Sequence, residues 1–262
     1  MMAPFPPDPT QSPPMPFDLA PLDLLALTTF FVLWGGYNVI FRLPGAPASL
    51  NLHMRTVREV WMRNMQARDT RLLDGQLLGH LIQSVSFFAS TTVLLIAGDL
   101  SALVNADRLA ALVEKMHVTS TASGALVEVK LFLLLGVLVY AFFQFTWAVR
   151  QYNYTCALIG AMPDATNHPP SVDVEEAADA AAALLSLAVQ SFNAGVRAYY
   201  FGFAALGWFV HPLAFMASTT LVIVVLIRRH FHSRAFHAVR RFGTAVRMVL
   251  PERRQPQPPE GG

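Results

Sequence analysis

Charge and cysteine are scarce in this sequence. Of its 262 residues only 14% are charged while 54% are hydrophobic, and a soluble domain carries about 25% charged residues. The deficit falls in long apolar runs and the mean hydropathy is +0.42, which puts the chain in the membrane class. A single cysteine, Cys156, excludes an intramolecular disulfide, and a reactive thiol there would need electropositive neighbours. Lysine is nearly missing, so the basic residues are almost all arginine. No Gly-rich phosphate loop, H-E-x-x-H or G-x-S-x-G pattern occurs, nor any Cys/His zinc spacing. The sequence therefore assigns no catalytic residue, no metal and no cofactor. Placement of charge matters more than the net charge of +2. The arginines flank apolar runs, so topology and lipid account for them and no nucleic acid is expected.

Residues 1–21 are rich in proline and have nothing to bury, which predicts a disordered tail. No basic n-region precedes the first apolar run and no small-x-small site follows it, so this run is expected to stay in the protein. It extends from Leu22 to Phe41, about 20 residues, enough for roughly 30 Å of hydrocarbon. Trp34 and Tyr37 look like interfacial anchors. Arg42, Pro44 and Pro47 close it.

A basic run follows. Leu50, Met54, Val57, Trp61, Met65 and Leu72 recur at helical spacing, with Arg55, Arg58, Arg63 and Arg71 mainly on other faces. Glu59 has Arg55 and Arg63 at i±4. This pattern predicts an amphipathic helix on the membrane surface, apolar side down, with Arg55, Arg58, Trp61, Arg63 and Arg71 binding lipid or a partner. The alternative is that the arginines signal topology alone. With Arg42 and Arg68 the loop should be cytoplasmic.

The second span covers about 77–97. Gln76, His80, Gln83 or Ser84, Phe87 and Thr91 share a face, and polar groups in hydrocarbon are expected to face other helices or a cavity. His80 reads either as a ligand or proton carrier or as an interhelical hydrogen-bonding group. Residues 99–129 read as a short external loop. The third span, 131–149, has Tyr140, Gln144 and Gln151 near one face with Trp147 and Arg150 beside them. The run Arg150-Gln-Tyr-Asn153 is a candidate holder of an anionic group, or an interfacial anchor belt. Prolines make the start of the next loop extended. Asp173 with Glu176 then marks a helix start, and an alanine-rich helix runs through Asn193 and Arg197.

The last apolar stretch, about 198–227, is interrupted by His211-Pro212. As one span it would carry the arginine-rich tail out of the cytoplasm, against the positive-inside rule. A hairpin at His211-Pro212 removes the conflict; a single long, kinked span is the alternative.

The runs SLNLHMRTVREVWMRNM, DGQLLGHLIQSVSFFASTTVLLIAG, KLFLLL…VYAFFQFTWAVRQYNY and SFNAGVRAYYFGFAALGWFVHPLAFM resemble the bacterial members of domain-of-unknown-function family 599, over about residues 20–235. The resemblance implies a polytopic membrane protein and carries over no catalytic residues. The expectation is thus an all-α protein of four to five transmembrane helices plus an amphipathic cytoplasmic helix. Its membrane domain covers 22–235, with a basic amphipathic to disordered tail at 236–262, in a bacterial inner membrane. Expected partners are membrane lipids and a homo-oligomer. Two functions follow. One is a non-enzymatic protein with a basic cytoplasmic surface for lipid or a partner. The other is a small oligomeric transporter or channel in which Gln76, His80 and Ser84 face Tyr140, Gln144 and Arg197, with Arg150 and Asn153 nearby. A membrane enzyme using Asp69, Asp74 and His80 comes third.

Overall fold

The structure is a computed structural model and describes residues 20–40, 50–66, 68, 70–115, 124–163, 172–231 and 234–249. The terminal tails, Arg42, Pro44, Pro47 and Asp69 lie outside the described residues. Every described element is an α-helix: α1 (Pro21–Ile40), α2 (Leu50–Gln66), α3 (Leu72–Val104), α4 (Ala106–Lys115), α5 (Gly124–Ala161), α6 (Val172–Val210), α7 (Pro212–Phe231) and α8 (Arg234–Val249).

Four of these, α1, α3, α5 and α7, include stretches long and apolar enough to cross a membrane. α6 carries acidic residues at its start and Arg197 within it, and it packs along α5 and α7. Its end meets the starts of α1 and α5: the Trp208 Nε1 donates to Asp23 Oδ1 at 2.6 Å, and the Lys130 ammonium lies 5.7 Å from the Trp208 ring. Residues 198–208 of α6 are lined with buried Ala198, Phe201, Ala204, Ala205 and Trp208. The chain is thus an all-α polytopic membrane protein, with four helices long and apolar enough to cross a membrane and α6 packed against two of them, α5 and α7.

Helix length separates this fold from the expected spans. α5 has 38 residues and α6 has 39, about 57 Å each at 1.5 Å per residue, nearly twice the hydrocarbon thickness. The stretch QYNYTC, expected to follow the third span, continues α5 to Ala161. The expected loop 99–129 contains the end of α3, all of α4 and the start of α5. There α4 buries Ala106 and Ala110 against Val127 and Leu131, so the loop has an apolar reason to be helical.

α5 and α6 lie antiparallel. Val137 meets Gly202, and Phe145 meets Gly195, where an added Cβ would come within 2.5 Å of the ring. α6 and α7 form a tight hairpin about His211. The His211 N–H bonds Gly207 O at 3.1 Å and its carbonyl accepts from Phe215 N at 3.0 Å. Its Nδ1 accepts from Leu213 N at 3.1 Å, capping α7, and Pro212 occupies the first helical position, where no N–H is needed. Gly207 allows the arms to touch: a Cβ there would stand 2.8 Å from Ser218 Oγ and 3.1 Å from Ala214 O. α1 packs on α7, with Phe30 fully buried among Phe201, Phe215 and Trp34.

This connectivity places α2, α8 and the ends of α5 and α7 at one end of the bundle, with the starts of α3 and α6. The start of α1, α4 and the α6–α7 turn occupy the other end.

Candidate functional site: the arginine-rich end

α2 lies against the projecting start of α6 and against α8. It buries Val60, Met62 and Met65 together with Thr56, Arg58 and Gln66. The apolar line Met54, Val57 and Trp61 is only half-buried. The helix is therefore enclosed on its polar side as well, because α6 offers polar partners there.

Those partners engage most of the arginines. The Arg58 Nε donates to Ser186 Oγ at 2.8 Å, and that hydroxyl donates on to Ala182 O. Burial pulls the Arg58 guanidinium below its usual range, opposed by the fields of Tyr152 and Glu59. Arg63 grips Asp179 with two parallel bonds, Nε to Oδ1 at 3.0 Å and Nη2 to Oδ2 at 2.8 Å. That hydrogen bonding holds its guanidinium above the ordinary value, against a smaller effect of burial. The Gln66 amide donates to Val174 O.

The α2–α3 junction is held by one carboxylate. Asp74 has no exposed surface, and its Oδ1 accepts from Trp61 Nε1 at 2.7 Å and Arg68 Nη1 at 2.6 Å. Its other oxygen has no hydrogen-bond partner among the described residues. Arg71 caps the end of α5, donating to Ile159 O, Met162 O and Pro163 O at 3.1, 2.6 and 2.6 Å. A cation is suited to that place, where helix carbonyls lack intrahelical partners.

Of the set Arg55, Arg58, Trp61, Arg63 and Arg71 expected to bind lipid or a partner, all but Arg55 are thus engaged by other helices within the chain. Only Arg55 is exposed, in an i,i+4 pair with Glu59 at 3.0 Å. Arg63, placed beside Glu59 by spacing, takes Asp179 instead. Exposed arginines stand elsewhere at this end: Arg228 and Arg229 close α7, and Arg240 and Arg241 lie on α8. Arg229 donates to Tyr200 OH at 2.7 Å. α8 seats Phe236 against His53 and buries Gly243, while Phe242, beside Arg241, is 51% exposed.

The intramembrane set does not converge as expected. Gln76, His80 and Ser84 are exposed, on the side of α3 turned away from α5 and α6. The reason is that α3 gives its other face to the core, through Leu78, Val85 and Thr92. Arg150 and Asn153 are exposed as well, whereas their neighbours Gln151 and Tyr152 are buried. With its amide turned to donate to Ser191 Oγ at 2.9 Å and Leu187 O at 3.2 Å, Gln151 accepts from Trp147 Nε1 at 3.2 Å.

Tyr140 and Gln144 are half-buried, and so is Arg197. Tyr140 meets the Trp34 ring at 5.4 Å, and the Arg197 guanidinium lies 6.0 Å over the Tyr37 ring. Two aromatic residues of α1 thus receive groups from α5 and α6. No group of three His, Cys, Asp or Glu side chains that could hold a metal occurs among the described residues.

Sequence reasoning missed Asp179 and Ser186, which read as parts of a helical alanine-rich run. It also missed the structural use of Asp74. A lone acid at the head of an apolar run was the available signal for Asp74.

No curated protein matches the chain, and no solved structure matches it. The family described as "Protein of unknown function, DUF599" matches residues 25–235, and the chain belongs to that family.

Proposed function

We propose that this is a non-enzymatic membrane protein whose arginine-rich end faces the cytoplasm of a bacterial inner membrane and holds anionic phospholipid headgroups. The observation that carries the reading is the pair of exposed arginines Arg240 and Arg241 beside the exposed Phe242 on α8, with Arg228 at the end of α7. An apolar ring flanked by arginines suits a helix lying in the interface, ring toward the acyl chains and guanidinium groups at phosphate level. The positive-inside rule puts this end in the cytoplasm. α2 then serves as the brace that carries α8 and does not itself touch lipid.

The test is lipid retention by the delipidated protein in detergent, with phosphatidylglycerol against phosphatidylcholine as probes. Each basic residue near an anionic surface contributes about 1 kcal/mol. The triple substitution Arg228→Ala, Arg240→Ala and Arg241→Ala is therefore expected to weaken phosphatidylglycerol binding by about 100-fold and to reduce its salt dependence. Equal retention of the two lipids by the natural chain defeats the proposal.

Conduction is the second reading. It is favoured by the polar line on α3, and because that line faces outward it requires an assembly of several copies.

A further inference from the structure

We infer that the outer face of α3 is the seam of a parallel homodimer. The inference does not depend on the lipid reading. α3 packs on α5 and reaches α6 through Phe88 and Thr92, which meet Phe192 and Tyr199. On the opposite face run Gln76, Gly79, Gln83, Ser86, Ser90, Val93 and Ala97, at alternating three- and four-residue steps. All but the half-buried Ser86 are exposed. Gln83 and Ser90 fall well inside the apolar part of the helix, and no hydrogen bond joins Gln76, His80 or Gln83 to another described residue.

Acyl chains offer a primary amide no hydrogen-bond partner, and such groups in a membrane turn toward protein. A serine can return its hydroxyl to its own helix, but a glutamine cannot fully satisfy its amide that way. The occupant is a second copy of this chain, for three reasons. Two copies in one membrane share their orientation, so their α3 helices meet parallel and identical positions face each other across a two-fold axis. A carboxamide both donates and accepts, so Gln83 is its own complement. The three-four spacing is that of two parallel helices crossing at a shallow angle, with small residues allowing close approach.

Gly79 supports the same conclusion. A Cβ at Gly79 would meet nothing within 4 Å, so the packing of a single chain does not call for glycine there. A helix crossing at that point does.

The experiment is cysteine cross-linking in native membranes, in a chain carrying Cys156→Ser. Gln83→Cys and Ser90→Cys are each expected to give a disulfide-linked dimer on oxidation. Leu95→Cys is exposed but about 140° round the helix from Ser90, and is expected to give none. A second variant separates association from folding. Gly79→Leu should leave thermal unfolding of the monomer unchanged or raise it slightly, and weaken self-association in detergent by roughly 10-fold, the range set by loss of close packing and interhelical hydrogen bonds. The proposal is overturned if neither seam cysteine links two copies, if the seam cysteines link only to a different protein, or if Gly79→Leu associates as the natural chain does.

Discussion

Arg63 and Arg240 carry the same charge and have opposite surroundings. Arg63 has a carboxylate in two-point contact, whereas Arg240 faces outward. The Arg63–Asp179 pair is about a quarter exposed on each side, so solvent screening limits its value. A double-mutant cycle of Arg63→Ala and Asp179→Ala, read by chemical unfolding in detergent, is expected to give a coupling of about 0.5–1 kcal/mol. Additive losses would show that the pair contributes no specific interaction. Asp74 is the more demanding position. Asp74→Ala leaves the Trp61 indole N–H without its acceptor, and an unsatisfied polar group costs about 1–3 kcal/mol. Arg55→Ala removes only an exposed i,i+4 pair and should stay within about 0.5 kcal/mol. If the two substitutions cost the same, the carboxylate is not what holds the α2–α3 junction. Neither the Arg63–Asp179 nor the Trp61–Asp74 partnership was legible in the sequence. The i±4 rule finds Arg55–Glu59, but Arg63 and Asp179 lie more than a hundred residues apart, and no local pattern links them.

At the scale of elements, apolar periodicity locates the helices and stops short of their partners. The heptad-like line in α2 is present, yet the face the helix buries includes Arg58 and Gln66, since α6 supplies a hydroxyl, a carboxylate and a carbonyl that hydrocarbon lacks. The expected spans stop where polar residues begin. α5 continues beyond that point because its projecting turns pack on the start of α6, which in turn packs on α2. Close packing between helices gives a sharp test here. Gly195→Ala drives a methyl into the Phe145 ring, and Gly207→Ala drives one against Ser218 and the Ala214 carbonyl. Overpacking of this kind costs about 1–3 kcal/mol. Gly160→Ala, where nothing lies within 4 Å, should be neutral or stabilise by up to about 1 kcal/mol. Thermal unfolding of the three variants separates helix contact from helix propensity: equal shifts would mean that α6 does not approach α5 and α7 this closely.

At the scale of the whole molecule, composition alone carries the fold class, because a chain this poor in charge must put its helices in lipid. The expected interior was less legible. A polar line on an apolar helix can face the bundle or a neighbouring molecule, and periodicity is the same in both cases. What decides it is the rest of α3, whose Leu78, Val85 and Thr92 bury against the core and so turn Gln76, His80 and Ser84 outward. The direction of the chain is decided in the same way, by contacts between distant elements. Asp23 bonds Trp208, so the start of α1 and the end of α6 share one side; α2 packs on α8, so both share the other. Single cysteines introduced into the Cys156→Ser chain test this with a membrane-impermeant maleimide. Arg55→Cys on α2 and Thr244→Cys on α8 are expected to react from the same side of the membrane, and Asn105→Cys at the α3–α4 turn from the opposite side. All three positions are exposed, so a failure to label reports the membrane and not burial. Labelling of Thr244→Cys together with Asn105→Cys would mean that the chain does not turn back at His211. It would also separate α8 from α2 and take Arg240 and Arg241 away from the end where lipid is proposed to bind.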